Sequence, residues 1–302
     1  MHPPASWVCL PDLGDPQRVI GRRTFDFSRE IAVMAIVNRT QDSFYDRGET
    51  FALDAAVRKT EHALQAGADW IDVGAVPFSP GAASVSQEEE IERVVPLIEH
   101  LRPRTDAVLS VDTFRSEVAE RALAAGADVI NDTSGLSDPR MADVIATAGG
   151  CVVVTHSKAP PKEVLRRPSY DDVVDEVHDY LVQRSNYARM KGVGADKIIV
   201  DPGHDLNKNT EHSLELTRRL NELNGLGYPL LVSVSNKDFI AETLDMPFDE
   251  LTAGTVAALV ICMLQGARIL RVHDVRAAVS AATVVAAMLG WRPPLAPRHN
   301  LD

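Results

Sequence analysis

A chain of 302 residues exceeds the usual single domain but fits the roughly 250 residues of one (β/α)₈ barrel plus extensions. Hydrophobic residues at 45% and charged ones at 25% exclude disordered and collagen-like classes and allow a sizeable buried core. The formal charge of −12, with no basic stripe, opposes a polyphosphate backbone and argues against a nucleic-acid partner.

Residues 1–30 read as an N-terminal extension. Asp12, Asp15, Arg18, Arg22 and Arg23 interrupt any apolar core of signal-peptide length there. Cys9, Cys151 and Cys262 are odd in number and far apart, with no zinc-ligand spacing, which points to the cytoplasm. From residue 31 to 290, runs rich in Val and Ile alternate with longer helical patterns, the signature of βαβ units. The spacing predicts strands over 31–37, 69–73, 107–111, 128–131, 151–155, 197–201, 229–235 and 268–272. Helical periodicity covers 86–101, 115–125, 171–191 and 274–289, among others. The repeats AGADWIDV, AGADVIND and VGADKIIVDP each set a Gly where a helix should end in the left-handed conformation and an Asp before a strand. Eight such units predict an α/β fold, a single (β/α)₈ TIM barrel. The rival, a doubly wound open sheet, lacks its Gly-rich turn after the first strand. The apolar stretch 256–265 is too short to span a membrane, so no membrane partner is expected. Its Val256, Leu259, Val260, Cys262, Met263 and Leu264 predict a helix apolar nearly all round, and with the Ala-rich helix after Asp274 a homodimer face. Residues 291–302 read as a tail.

Barrel enzymes carry their chemistry at the C-terminal ends of strands. Here those ends hold Asn38, Asp72, Asp112, Asn131, His156, Asp201, Ser235 with Lys237, and Arg271 with His273. Any one of these could merely cap a helix; a whole ring is poorly explained that way. Asp112, Asn131 and Asp201 offer donors and acceptors suited to a flat aminopyrimidinone. Lys237, Arg271 and His273 gather where barrels often bind phosphate, although a local Arg271–Asp274 ion pair is a competing reading.

The segments MAIVNRTQDSF, SVDTFRSEVAERALAAGADVINDTSG, DPGHDLNKNTEHSLELTRRL and GARILRVHDV resemble the dihydropteroate synthase family across residues 31–290. The resemblance implies a pterin ring held by Asp112, Asn131, Asp201 and Lys237, with Asn38, Arg271 and His273 facing a diphosphate and Asn38 orienting Mg²⁺. It implies catalytic roles for Asp42, Lys237, Arg271 and His273, and partners that include pterin diphosphate, p-aminobenzoate and sulfone or sulfonamide analogues. In the family, diphosphate departs and p-aminobenzoate attacks the electrophilic pterin methylene that remains.

The departures from the family pattern are clustered. Where the family's second loop reads about G-G-E-S-T-R-P-G, this chain has Val76, Pro77, Phe78 and Ser79. S-R-K becomes Ser235, Asn236, Lys237, and the Gly two residues before Ser235 becomes Ser233. G-F-G becomes Asp205, Leu206, Asn207; Gln41 replaces a Pro; Arg39, Tyr45 and Arg47 replace smaller residues; Thr155 replaces a Met. By resemblance these positions lie on the p-aminobenzoate and diphosphate side. A lost charged hydrogen bond costs roughly 1.5–3 kcal/mol, and each 1.36 kcal/mol is about tenfold in rate. The expectation is a pterin-binding paralogue, inactive or strongly impaired, resembling the divergent second copy that some bacteria carry. The alternatives are an active dihydropteroate synthase and a methyltetrahydrofolate-dependent methyltransferase. Arg39 and Arg47 are expected on an exposed loop, unless they reach inward to replace the missing charge.

Overall fold

The computed structural model describes residues 8–40, 52–77, 84–161, 163 and 165–300. After a hairpin of β1 (Gln17–Ile20) and β2 (Arg23–Asp26), eight strands follow: β3 (Ala32–Asn38), β4 (Trp70–Gly74), β5 (Val108–Asp112), β6 (Val129–Asp132), β7 (Cys151–Thr155), β8 (Ile198–Asp201), β9 (Leu230–Val232) and β10 (Ala267–Val272). They close as a parallel barrel in the order β10-β3-β4-β5-β6-β7-β8-β9. Around it run α1 (Leu53–Gln65), α2 (Gln87–Leu101), α3 (Ser116–Ala124), α4 (Met141–Ala148), α5 (Val173–Met190), α6 (Thr210–Arg218), α7 (Asp238–Leu244), α8 (Thr252–Leu264) and α9 (Val275–Met288). The expected barrel is present, with each strand within a residue or two of its predicted span except β9. That strand stops at Val232, and Ser233, Val234 and Ser235 leave the ladder.

Alternation along the strands sorts side chains into two cores. Val33, Val73, Leu109, Val111, Ile130, Val200 and Leu270 face the helices. Met34, Trp70, Val108, Val129, Val153, Ile199, Leu231 and Ile269 fill the barrel. The hairpin closes the lower end by adding Ile20, Phe25 and Phe27 to this inner cluster, with the Phe25 and Trp70 rings 5.9 Å apart. Two residues higher on the same inward faces stand Asp72, Ser110, Asn131, Thr155, Asp201, Ser233 and Arg271. An apolar floor and a polar mouth thus follow from one period of two.

The repeated Asp before each strand does more than mark a boundary. Asp69 accepts the Val33 N–H at 3.0 Å and Asp128 accepts the Leu109 N–H at 2.9 Å, so each staples its own unit to the preceding strand. Arg23 pairs with Asp69 at 2.9 Å and Arg102 with Asp128 at 2.8 Å. Gly67 (φ 97°) and Gly126 (φ 108°) are left-handed as expected. The third repeat corrects the expectation: Gly194 has φ −61°, and Gly192, with φ 99°, makes the reversal instead. No helix among the described residues is long and apolar enough to cross a membrane.

Candidate functional site

Asp72 is the hub of the mouth. Fully buried on β4, it accepts the Ser110 hydroxyl at 2.6 Å, the Asn131 amide N–H at 3.1 Å and Arg271 Nε at 2.7 Å. Arg271 spans the barrel from β10 and gives a second bond to Asp112 at 2.8 Å. Its partners are these two carboxylates and not Asp274, which caps α9 by accepting the Ala277 N–H at 3.0 Å. Burial works against the charged guanidinium, but Asp72 and Asp112 outweigh it and hold the Arg271 pKa above its usual value. Burial likewise pushes Asp112 up to about 7; Arg271 opposes this, while Asp72 and Glu90 reinforce it. Asn131 turns its Nδ2 to Asp72, and its buried Oδ1 has no partner among the described residues. A buried acceptor of this kind is rare in a finished structure.

Asp201, at the end of β8, accepts the Gly203 N–H at 2.7 Å. Burial raises its carboxyl to about 6, with the Gly203 bond, Lys237 and Arg271 acting in the other direction. Gly203 (φ 68°) admits no side chain, because a Cβ there would lie 2.1 Å from the His156 carbonyl oxygen. Lys237 forms the N-cap of α7, and His273 donates its N–H to Ser235 Oγ at 3.2 Å. Asn38 ends β3 beside Gly74 and Asp112: a Cβ on Gly74 would lie 3.1 Å from Asn38 Oδ1 and 3.6 Å from Asp112 Cβ. Asn38, Asp112, Asn131, Asp201, Lys237, Arg271 and His273 therefore all belong to one end of the barrel. Asp42, Gln41, Phe78, Ser79, Tyr45 and Arg47 lie outside the described residues.

The altered positions that are described have definite partners. Ser233 Oγ lies 3.5 Å from Arg271 NH1. Asn236 (φ 51°) donates its N–H to Thr255 Oγ1 and accepts that hydroxyl with Oδ1, both at 3.2 Å. Asp205 (φ 62°) and Asn207 (φ 52°) keep left-handed backbone where the family pattern has glycines. Asn207 Oδ1 accepts Ser157 Oγ at 2.8 Å and the Ala159 N–H at 2.9 Å, tying the loop after β8 to the loop after β7. Leu206 and Val76 are half-buried. Arg39 corrects the expectation of an exposed loop residue: it is buried, its N–H meets the Gly74 carbonyl at 2.7 Å, and its guanidinium donates to the Arg93 carbonyl on α2.

Sequence reasoning placed Asp72 in the ring of strand ends without giving it a specific partner, and passed over Ser110 and Lys208. Lys208 is buried, donating to Gly203 O and His156 Nδ1 at 2.8 Å each and to Leu206 O at 3.2 Å. Burial, aided by Lys208, lowers the His156 pKa to about 2, which fixes a neutral imidazole as acceptor. His156 thus supports the loop after β8. A lysine seven residues past a strand-end Asp was the available signal.

This architecture has known counterparts. The sequence matches the family of pterin binding enzymes over residues 34–273. A Mycobacterium leprae protein named inactive dihydropteroate synthase 2 is 46% identical over 268 residues, covering 87% of this chain and 92% of that one. The dihydropteroate synthase of Escherichia coli is 40% identical over 257 residues, covering 85% and 91%. The Yersinia pestis dihydropteroate synthase, solved with a sulfonamide drug, superposes with a TM-score of 0.87 at 37% identity, covering 91% of this chain and 99% of that one. With the barrel and these likenesses in agreement, the chain belongs to the dihydropteroate synthase family of pterin binding enzymes.

Proposed function

We propose that this protein binds a pterin through the buried half of its mouth and carries out little or no condensation with p-aminobenzoate. The observation that carries the reading is the Asp72–Arg271–Asp112–Asn131 network, in which the buried Asn131 oxygen has no partner among the described residues and suits a ring N–H. Asp112 and Asp201 would accept further ring donors as charge-assisted bonds. Lys237 would cover the ring, and Arg271 and His273 would meet a diphosphate. The neutral oxygen of Asn38 fits Mg²⁺ as one hard ligand beside substrate phosphates, with Asp42 as catalytic support. A relative named inactive dihydropteroate synthase 2 at 46% identity, against one named dihydropteroate synthase at 40%, supports a weak or absent condensation.

The chain would work as a homodimer in the cytoplasm. Exposed Leu244, Met246, Ile261, Val284 and Met288 around α7–α9 supply the apolar surface; a monomer by light scattering at micromolar concentration would refute this. The function is tested by calorimetry with 6-hydroxymethylpterin and its diphosphate, alongside an assay with p-aminobenzoate. Micromolar pterin binding without turnover is the expected result. Turnover near family rates would instead favour the active-synthase reading, which retention of Lys237, Arg271 and His273 supports. Absence of pterin binding would overturn both.

A further inference from the structure

Besides Asn131 Oδ1, a second buried polar atom of the mouth has no hydrogen-bond partner among the described residues: the Thr155 hydroxyl, Oγ1, at the end of β7. Thr155 is 1% exposed. Alternation fixes its direction, because Cys151 and Val153 belong to the inner cluster and Val152 and Val154 to the outer one, so Thr155 faces the barrel interior. Its Cα pairs with Asp201 on β8, while Val153, the inward position below it, pairs with Asn131 on β6. Thr155 thus stands between Asn131 and Asp201 in the ring of strands. Its methyl group lies against the loop after β8: a Cβ on Gly203 would be 3.4 Å from Thr155 Cγ2. A buried hydroxyl is normally bonded, and a position that served packing alone would be better filled by an apolar side chain. The Met of the family pattern, which Thr155 replaces, has no O–H and only a weak acceptor sulfur.

The neighbours of Thr155 indicate what the hydroxyl is for. Asp201 holds the Gly203 N–H on Oδ1 at 2.7 Å. A carboxylate recognises a 2-amino-4-oxopyrimidine ring by accepting the ring N–H together with one hydrogen of the adjacent exocyclic amine. A ring that is also to reach Asn131 Oδ1 extends from Asp201 toward β6, and β7 lies between. The second hydrogen of the amine then points at the strand next to the carboxylate, where Thr155 is the inward residue paired with Asp201.

We propose that Thr155 is a specificity-determining residue of this pocket, its Oγ1 accepting the second hydrogen of the exocyclic amine of a 2-amino-4-oxo ring held by Asp201. The contact is one that the Met of the family pattern does not offer, and it makes this site more selective for rings that carry the amine. The inference rests on the pterin-binding reading above and deepens it.

The test uses the full chain and calorimetry with two ligands, 6-hydroxymethylpterin and 6-hydroxymethylpteridin-4-one, which lacks the exocyclic amine. Thr155→Val keeps the branched shape and removes the hydroxyl. It should weaken binding of 6-hydroxymethylpterin about tenfold and that of the amine-free ring less than about twofold. Thr155→Ser restores the hydroxyl and should recover most of the pterin affinity. The unfolding midpoint of ligand-free Thr155→Val should not fall, since no contact with the scaffold is lost. Unchanged pterin affinity in the Val variant would overturn the proposal, as would an equal loss for both rings or a loss as large in the Ser variant. A lower midpoint for the Val variant would also overturn it, by giving the hydroxyl a partner in the scaffold. Where the amine-free ring binds too weakly to titrate, the contrast between Val and Ser decides. Failure of the unmodified chain to bind 6-hydroxymethylpterin would instead overturn the reading on which the proposal rests.

Discussion

The two halves of the barrel mouth solve the problem of buried polar groups in opposite ways. On the side of β4, β5, β6 and β10, the functional groups satisfy one another: Asp72, Asp112, Asn131, Ser110 and Arg271 form one network inside the barrel. On the side of β8 and β9, the side chains bond outward to the scaffold: Asp205 to Ser213, Asn207 to Ser157 and Ala159, Asn236 to Thr255. A half-site that had merely lost its function would show truncated or loose residues. This one shows side-chain contacts with definite geometry, and two non-glycine loop positions in left-handed backbone. The altered half has been rebuilt, and its ties to α6, α8 and the loop after β7 fix it in place.

The comparison makes the inward network the more sensitive half. Asp72→Ala should have the largest effect on stability, because it leaves Arg271 half-paired and strips partners from Ser110 and Asn131. Removing one partner of a buried ion pair costs about 3–5 kcal/mol. Denaturant unfolding should show that loss together with loss of pterin binding. A cost below about 1 kcal/mol would mean that Asp112 alone holds the guanidinium and that Asp72 is not the hub.

Asp112→Ala should abolish pterin binding, at least about a hundredfold by calorimetry, because a buried carboxylate that accepts ring donors has no substitute. Unchanged affinity would show that the pocket is wrongly assigned. The same residue dictates a pH dependence. With its pKa raised by burial to about 7, Asp112 is ionised above that pH and protonated below it, and ring donors favour the ionised form. Affinity should therefore hold above about pH 7 and fall by up to about tenfold per unit below it. Protonation of Asp201, near pH 6, should steepen the fall. A flat profile from pH 5 to 8 would place both carboxylates outside the contact surface.

How far the sequence reveals these halves depends on the range of the interaction. Strand positions and the inward parity of Asp72, Asn131, Asp201 and Arg271 follow from local periodicity, and the barrel came with them. The Arg271–Asp72 pair bridges 199 residues, so a strand-end Asp and a nearby Asp274 were the only local candidates, and the nearer one is wrong. The hairpin β1–β2 went unseen because each strand has four residues and Val19, half exposed, gives no apolar alternation to read. Arg39 was misplaced because burial of a guanidinium against a helix carbonyl leaves no mark in composition. Family likeness identified the altered positions but could not show that Asp205, Asn207 and Asn236 each have a partner.

The rebuilt half should resist simple reversal. Asn236→Arg puts a long side chain at φ 51° and removes the Thr255 contacts, so a stability loss of about 1–2 kcal/mol is expected. Combined with Phe78→Thr and Ser79→Arg, both outside the described residues, it should still raise condensation from a low baseline, with pterin affinity changing less than turnover. Neighbouring changes of this kind are not additive, and the full gain is expected only with reversal of Val76, Pro77, Asp205 and Leu206 as well. A restored loop closed over bound pterin in a crystal but giving no added product would place the defect elsewhere.

The smallest effect, and the sharpest test of rebuilding against decay, is expected from Asn207→Gly. Glycine adopts the observed φ of 52° without strain, so the change removes only the side-chain bonds to Ser157 Oγ and Ala159 N–H. Each such bond contributes about 0.5–1.5 kcal/mol net, and the added freedom of glycine in the unfolded chain costs a few tenths more. Unfolding should register a loss of about 1–2 kcal/mol, and hydrogen exchange should speed up in the loops after β7 and β8 together, since Asn207 joins them. Pterin affinity should not move, because none of these atoms contacts Asp72, Asp112 or Asn131. If exchange rises in the loop after β8 alone, the two loops are not coupled through Asn207. If stability is unchanged, the Asn is a tolerated substitution for glycine, and the case for a rebuilt half would rest on Asp205 and Asn236.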